Sequence, residues 1–246
     1  MHFLPGKSTL GIFLAVTFIG LGSATASTIN FTNRGNSSNL GSSITDTVDG
    51  TNITVSAFEF SDSNSEPSSS GANTSFITSA GNSGIGIGPG SNPQNTAEND
   101  GGREFFLVEF DQSVSLNSAS ISEFGNDNGS TLGGDSDVNY WVGTGAFDFD
   151  NLGTRFEDGI LSDVLADGET RNINFNSGLG SINWLLLGPE AFDSGIATLA
   201  ANDYITLRNI EFEIAAVPLP ASIWLMGTAL ISLSGLNRKS AKSTSS

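Results

Sequence analysis

Between Ser27 and Ala216 the apolar residues arrive in short runs separated by clusters of Gly, Ser, Asn and Asp, a punctuation that confines the segment to strands and turns. Tyr204 to Ile214 is the clearest run, with Ile210, Phe212 and Ile214 alternating with Glu211 and Glu213 as a half-buried strand requires. Arg103 to Phe110 is apolar on both faces, Phe106, Val108 and Phe110 on one and Phe105 and Leu107 on the other, which predicts a strand covered from both sides. Thr51 to Phe60 places Ile53, Val55 and Ala57 on one face and then shifts to Phe58 and Phe60, a slip that predicts a bulge near Ala57. Further strands are predicted at Ile29 to Phe31, Ser75 to Thr78, Val114 to Leu116, Ala119 to Phe124, Val138 to Val142, Phe147 to Phe149, Ile173 to Phe175 and Ile182 to Leu187. Helical spacing occurs at Gly159 to Asp167, through Ile160, Leu161, Val164 and Leu165. The pattern predicts an all-β domain, a two-sheet β-sandwich of jelly-roll-like type. Asp62 to Gly71 and Gly86 to Gly102, rich in polar residues, Gly and Pro, read as exposed loops.

The segment from Ser27 to Ala216 is long enough to bury one sizeable core, and it must do so without disulfides, because the chain has no cysteine. All 26 acidic residues lie between Asp46 and Glu213, opposed by Arg34, Arg103, Arg155, Arg171 and Arg208 alone, which leaves the segment at −21. Such a surface repels phosphate backbones and anionic headgroups, which argues against nucleic acid and against peripheral membrane binding as roles. Divalent cations and neutral glycans remain compatible with it.

The same segment contains no His, Cys or Lys. That excludes a Ser-His-Asp triad, a cysteine nucleophile, a histidine-bound zinc and a Schiff-base lysine within it. Carboxylate pairs survive the exclusion, and glycoside hydrolysis needs only two of them across a cleft. Asn126-Asp127-Asn128-Gly129 followed by Asp135-Ser136-Asp137 is the densest oxygen-donor segment, so Asp127, Asp135 and Asp137 are the candidate calcium ligands, although no complete EF-hand spacing is present. The same residues also suit ordinary turns. Asn99-Asp100 with Glu104 is a second such grouping. Gly84-Ile85-Gly86-Ile87-Gly88 lacks the helix start that a phosphate loop needs, and Pro89 follows it, so it reads as a strand end or loop. Tyr140, Trp141 and Trp184 are candidates for an aromatic platform under a sugar ring, the competing role being burial in the core.

The two ends of the chain read differently from its middle. Lys7 precedes an apolar run from Leu10 to Leu21, and Ala24-Thr25-Ala26 supplies small residues at the two positions a signal peptidase reads, which predicts a signal peptide over 1–26 and cleavage after Ala26. At the other end Val217-Pro218-Leu219-Pro220-Ala221-Ser222 leads into an apolar stretch and then Asn237-Arg238-Lys239. Residues 221–236 would span roughly 24 Å as a helix, a short but workable membrane crossing. The cations Arg238 and Lys239 in the tail 237–246 place that end in the cytoplasm and the 27–216 domain outside. Pro218 and Pro220 favour an extended segment just before the helix, the conformation that a protease-like cleft binds.

The order of proline motif, short apolar helix and basic residues over 217–246 resembles the PEP-CTERM sorting signal, and Val217, Pro218, Leu219, Pro220 and Ala221 look like its VPLPA variant, with Leu219 where the commonest form has Glu. The resemblance implies an exosortase, a membrane-embedded processing enzyme, as a partner that cuts near the proline motif, and an association with exopolysaccharide. The expectation is an exported, membrane-anchored and then cell-surface or extracellular-matrix protein whose β domain is structural or glycan-binding. The rivals are a carboxylate-based glycan-active enzyme and a calcium-stabilised adhesin.

Overall fold

The computed structural model describes residues 25–60, 67–88, 97–98, 103–123, 138–158, 170–175, 178–189, 204–214 and 225–230. The chain forms two units, Ala24–Ala215 and a second composed of Met1–Ser23 with Ala216–Ser246. In the second unit residues 225–230 are helical, with Leu225, Met226 and Leu230 exposed. Among the described residues no helix is long and apolar enough to cross a membrane, and the remainder of the predicted crossing, 221–236, lies outside them.

The regular structure of the unit Ala24–Ala215 is all β over the described residues, apart from two short 3-10 turns. Its strands are β1 (Ala26–Asn30), β2 (Asn36–Gly41), β3 (Ser43–Val48), β4 (Thr51–Phe60), β5 (Ala72–Thr74), β6 (Phe76–Ala80), β7 (Ile85–Gly88), β8 (Ala97–Glu98), β9 (Arg103–Glu123), β10 (Val138–Gly143), β11 (Phe156–Asp158), β12 (Thr170–Asn174), β13 (Ile182–Pro189) and β14 (Tyr204–Ile214). They join in one nearly closed, barrel-like sheet, and all pairings are antiparallel.

The 21-residue β9 organises this sheet. Its first part, up to Phe110, is flanked by β4 and β13, and its second part, from Val114, by β14 and β12. Between them the register against β13 slips, from Glu109 opposite Trp184 to Val114 opposite Ile182, so the strand bends over 110–113. Asp111 pins the bend to the β3–β4 hairpin: its carboxylate accepts the Asn52 backbone N–H (3.0 Å) and the Asn52 side-chain amide (2.7 Å). The hairpin turns on Asp49 and Gly50, both at positive φ (50° and 82°), the two-residue geometry whose twist matches that of the flanking strands.

One face of the bent sheet encloses the main core. Ile53, Val55, Ala57, Phe106 and Val108 from one half meet Ala119, Ile121, Leu207, Ile210 and Phe212 from the other, with Ile29, Phe31, Ile77, Ile85 and Ile87 closing the sides. A second cluster lies on the opposite face of the first half, where Phe60, Phe105, Leu107, Trp141, Trp184 and Leu186 are buried beneath Phe147, Phe149 and Leu152 from the β10–β11 connection.

This second cluster corrects the bulge predicted near Ala57. The β4–β9 register runs without a slip from Ile53 opposite Phe110 to Phe60 opposite Arg103, and Phe58 and Phe60 face the second cluster rather than the first. At the Phe58–Phe60 end of β4 the outer face is apolar too, because the second cluster covers it there. Val114–Leu116 and Ala119–Phe124 are parts of β9, to Glu123, rather than separate strands. Phe147 to Phe149 is not a strand: it leads into a 3-10 turn, Phe149–Asn151, where Asp148 accepts from the Asp150 N–H. Ile85–Gly88 is a strand, and Gly84 before it sits at φ 109° with a Cβ position only 2.2 Å from the Leu207 carbonyl oxygen, which only glycine permits. The predicted helix at Gly159 to Asp167 lies outside the described residues.

Candidate functional site

Strand register decides what the outer face of the first half presents. One row across five strands reads Thr45, Thr54, Glu109, Trp184, Gly143. The row beside it reads Ser43, Ser56, Leu107, Leu186, Trp141, and a shorter one Thr47, Asn52 opposite Asp111. The face is therefore aromatic over β13 and β10 and polar over β3, β4 and the bend of β9.

The aromatic part is closed. Trp141 and Trp184 are 2 % and 4 % exposed, Phe147 lies edge-on to Trp184 at 5.1 Å, Phe105 to Trp141 at 5.7 Å, and Phe149 to Phe58 and Phe60 at 5.0 and 5.3 Å. The covering segment is tied down at two places. Gly145 N–H donates to Asn183 Oδ1 (3.1 Å), and the Ser69 hydroxyl and backbone N–H donate to Asp150 (2.8 and 3.2 Å). The Ser69 hydroxyl first, and then its N–H, hold the Asp150 carboxyl below the ordinary aspartate value. Tyr140 projects to the other face of the sheet, into the main core, where it stacks on Phe156. Tyr140, Trp141 and Trp184 therefore form no shared platform, and all three are buried packing residues.

The polar part is open and ordered. Ser43, Thr45, Thr47, Asn52 and Asp111 are exposed, and Thr54, Ser56 and Glu109 are half-buried. Thr45 and Thr54 hydroxyls are hydrogen-bonded at 3.1 Å, and Thr47 donates to Asn52 Oδ1 (2.7 Å), whose amide nitrogen in turn donates to Asp111. Neutral hydroxyls and an amide thus stand in a lattice of roughly 4.8 Å across strands and 6.8 Å along them, fixed by the sheet itself. Such a shelf offers donors and acceptors to a polyhydroxylated neutral ligand without an ordering cost for its own side chains.

A carboxylate pair also emerges. Glu59 on β4 stands directly opposite Glu104 on β9, on the side of the sheet that carries Ala57 and Phe106, and Glu104 is 3 % exposed. Residues so placed have Cβ atoms about 5 Å apart. Sequence spacing could not select this pair, because its members are 45 positions apart and only the fold brings them together.

Of the residues singled out from the sequence, Ala26 opens β1 opposite Glu213. Ala24, Asp127, Asp135, Asp137, Val217, Pro218, Leu219, Pro220, Ala221, Arg238 and Lys239 lie outside the described residues, as do Asn99 and Asp100. Among the described residues no group of three or more acidic or histidine side chains is placed to hold a metal ion. Compared with protein families, curated proteins and solved structures, the chain matches none.

Proposed function

We propose that this chain is an exported cell-surface or extracellular-matrix protein, cut from its signal peptide after Ala26, sorted through its 217–246 tail by an exosortase-type enzyme, and equipped with a non-enzymatic β domain that binds neutral glycan. The observation that carries the binding role is the open hydroxyl–amide shelf of Ser43, Thr45, Thr47, Asn52 and Thr54, held in register by Asp111. Its hydroxyls and amide are neutral and stand beside the carboxylates of Asp111 and Glu109 in a segment of net charge −21, which suits an uncharged polysaccharide better than an anionic one. We read the bent sheet as a jelly-roll-like sandwich in which β9 serves both layers, a reading supported by the single core enclosed between its halves.

Affinity electrophoresis against neutral polysaccharides, including that of the producing cell, tests the binding role. Retardation of the wild type that disappears in the triple variant Thr45→Ala, Thr47→Ala, Thr54→Ala, with its melting temperature retained, is the expected result. Equal mobility of the two proteins in every gel overturns it. Intact-mass measurement of the protein from its native envelope, with and without the processing enzyme, tests the sorting.

A second reading, a glycan-active enzyme, is favoured by the opposed carboxylates Glu59 and Glu104. Release of reducing ends that is abolished in both Glu59→Gln and Glu104→Gln would establish it. The calcium-stabilised adhesin, resting on Asp127, Asp135 and Asp137, requires a melting temperature that rises with calcium and falls with chelator.

A further inference from the structure

The bond expected to be cut by signal peptidase lies inside the first rung of the sheet. Ala26 pairs with Glu213 and Ser27 with Phe212, and Ser27 is 3 % exposed. The Ser27 hydroxyl donates to Asp49 Oδ2 at 2.7 Å, although Ser27 pairs with β14 while Asp49 turns the β3–β4 hairpin, 22 positions away. Asp49 occupies the left-handed position of the β3–β4 turn, so its carboxylate is presented from a backbone that has little freedom to swing away.

In the precursor, Ser27 nitrogen is an amide. Cleavage after Ala26 turns it into an ammonium, a full positive charge at a residue almost removed from solvent. That nitrogen lies about 3 Å from its own Oγ by covalent geometry, which brings it within about 6 Å of the Asp49 carboxylate. Resting on the proposed cleavage after Ala26, we infer that Asp49 is the acceptor for the mature α-amino group, so that processing itself completes the docking of β1.

The surroundings agree in sign. Asp49 from the β3–β4 turn accepts from Ser27, and Glu213 and Glu211 from β14 flank it in register on the other face. Arg34, beyond the end of β1, is engaged by Asp46. Arg208 of β14, whose carbonyl accepts from the Phe31 N–H beyond the end of β1, turns its guanidinium to the Ser122 and Thr170 hydroxyls. With Asp49 as its acceptor, the attraction outweighs the burial that by itself would lower the value, and the ammonium titrates above the free α-amino range of about 7.7–8.0. Its stabilisation is complete below that range and is lost as pH rises through the raised folded value.

The test uses mature protein purified from its native envelope, with the terminus established by intact mass and the amine labelled by reductive 13C-methylation. The pH titration of the terminal dimethylamine signal is followed in the folded protein and in urea. The inference requires a mature chain that starts at Ser27, with a folded midpoint at least half a pH unit above the unfolded one, and return to the unfolded value in Asp49→Asn. Asparagine tolerates the left-handed turn position, and Asp49→Gly replaces it if the amide variant does not accumulate. A chain that starts at Ser27 with equal folded and unfolded midpoints overturns the role of Asp49 alone. A chain that starts elsewhere overturns both that role and the cleavage site.

Discussion

Replacement of Trp184 by alanine separates packing from recognition on the outer face of the sheet. The side chain is 4 % exposed, lies edge-on to Phe147 at 5.1 Å, and covers Gly143 so closely that a Cβ there would fall 2.1 Å from its ring. A buried tryptophan removes some 150–250 Å² from water, worth about 4–6 kcal/mol at 25 cal/mol per Å², an upper figure because the unfolded chain is itself partly collapsed. Tryptophan-to-alanine changes in cores cost about 3–5 kcal/mol, in keeping with that bound. For a domain of this size 1 kcal/mol corresponds to about 2–4 °C, so the melting temperature should fall by roughly 6–20 °C. Thermal unfolding followed by far-ultraviolet circular dichroism measures it, alongside affinity electrophoresis of the folded variant at low temperature. A melting temperature within 2 °C of wild type, combined with lost polysaccharide retardation, would show that Trp184 serves a ligand and that the second cluster is not a core.

Gly188→Ala should destabilise by about 1–3 kcal/mol in urea titration, because the added Cβ falls 2.4 Å from the Phe105 ring and 2.6 Å from the Glu104 carbonyl oxygen; Phe105→Leu in the same chain should recover part of the loss. Asn139 is 1 % exposed and neither atom of its amide meets a hydrogen-bond partner among the described residues, so Asn139→Leu should raise the urea midpoint, by an amount equivalent to about 1–3 kcal/mol. The Asp150 carboxyl is depressed by Ser69, so the latch it forms is complete above about pH 4 and weakens as pH falls through the lowered folded value. Hydrogen exchange at the 144–155 backbone should therefore accelerate in acid in the wild type, relative to the intrinsic rate, and should lose that acid-dependent change in Asp150→Asn.

The all-β class was legible in the sequence because alternation survives wherever one face is wet, as in β14, whose bounds were read correctly from Ile210, Phe212 and Ile214 against Glu211 and Glu213. β3 is missing from the sequence reading although Ile44, Val48 and the Asp49-Gly50 turn pair carry its signal, because a strand of serine and threonine reads as loop when hydrophobicity alone is weighed. The slip at Ala57 has a physical reason: the outer face of β4 changes from polar at Asn52, Thr54 and Ser56 to covered and apolar at Phe58 and Phe60, and that change imitates a bulge. The shelf and the Glu59–Glu104 pair depend on which strands become neighbours, and no residue-level pattern encodes that pairing.

Because β9 runs unbroken through both halves of the sheet, the domain has no seam along which it can come apart. Loosening β4 or β13 frees the same strand on which β12 and β14 depend, so damage to either half propagates to the other. Heat and denaturant should therefore meet a single transition, and a protease that cuts within 110–113 should release no stable remnant.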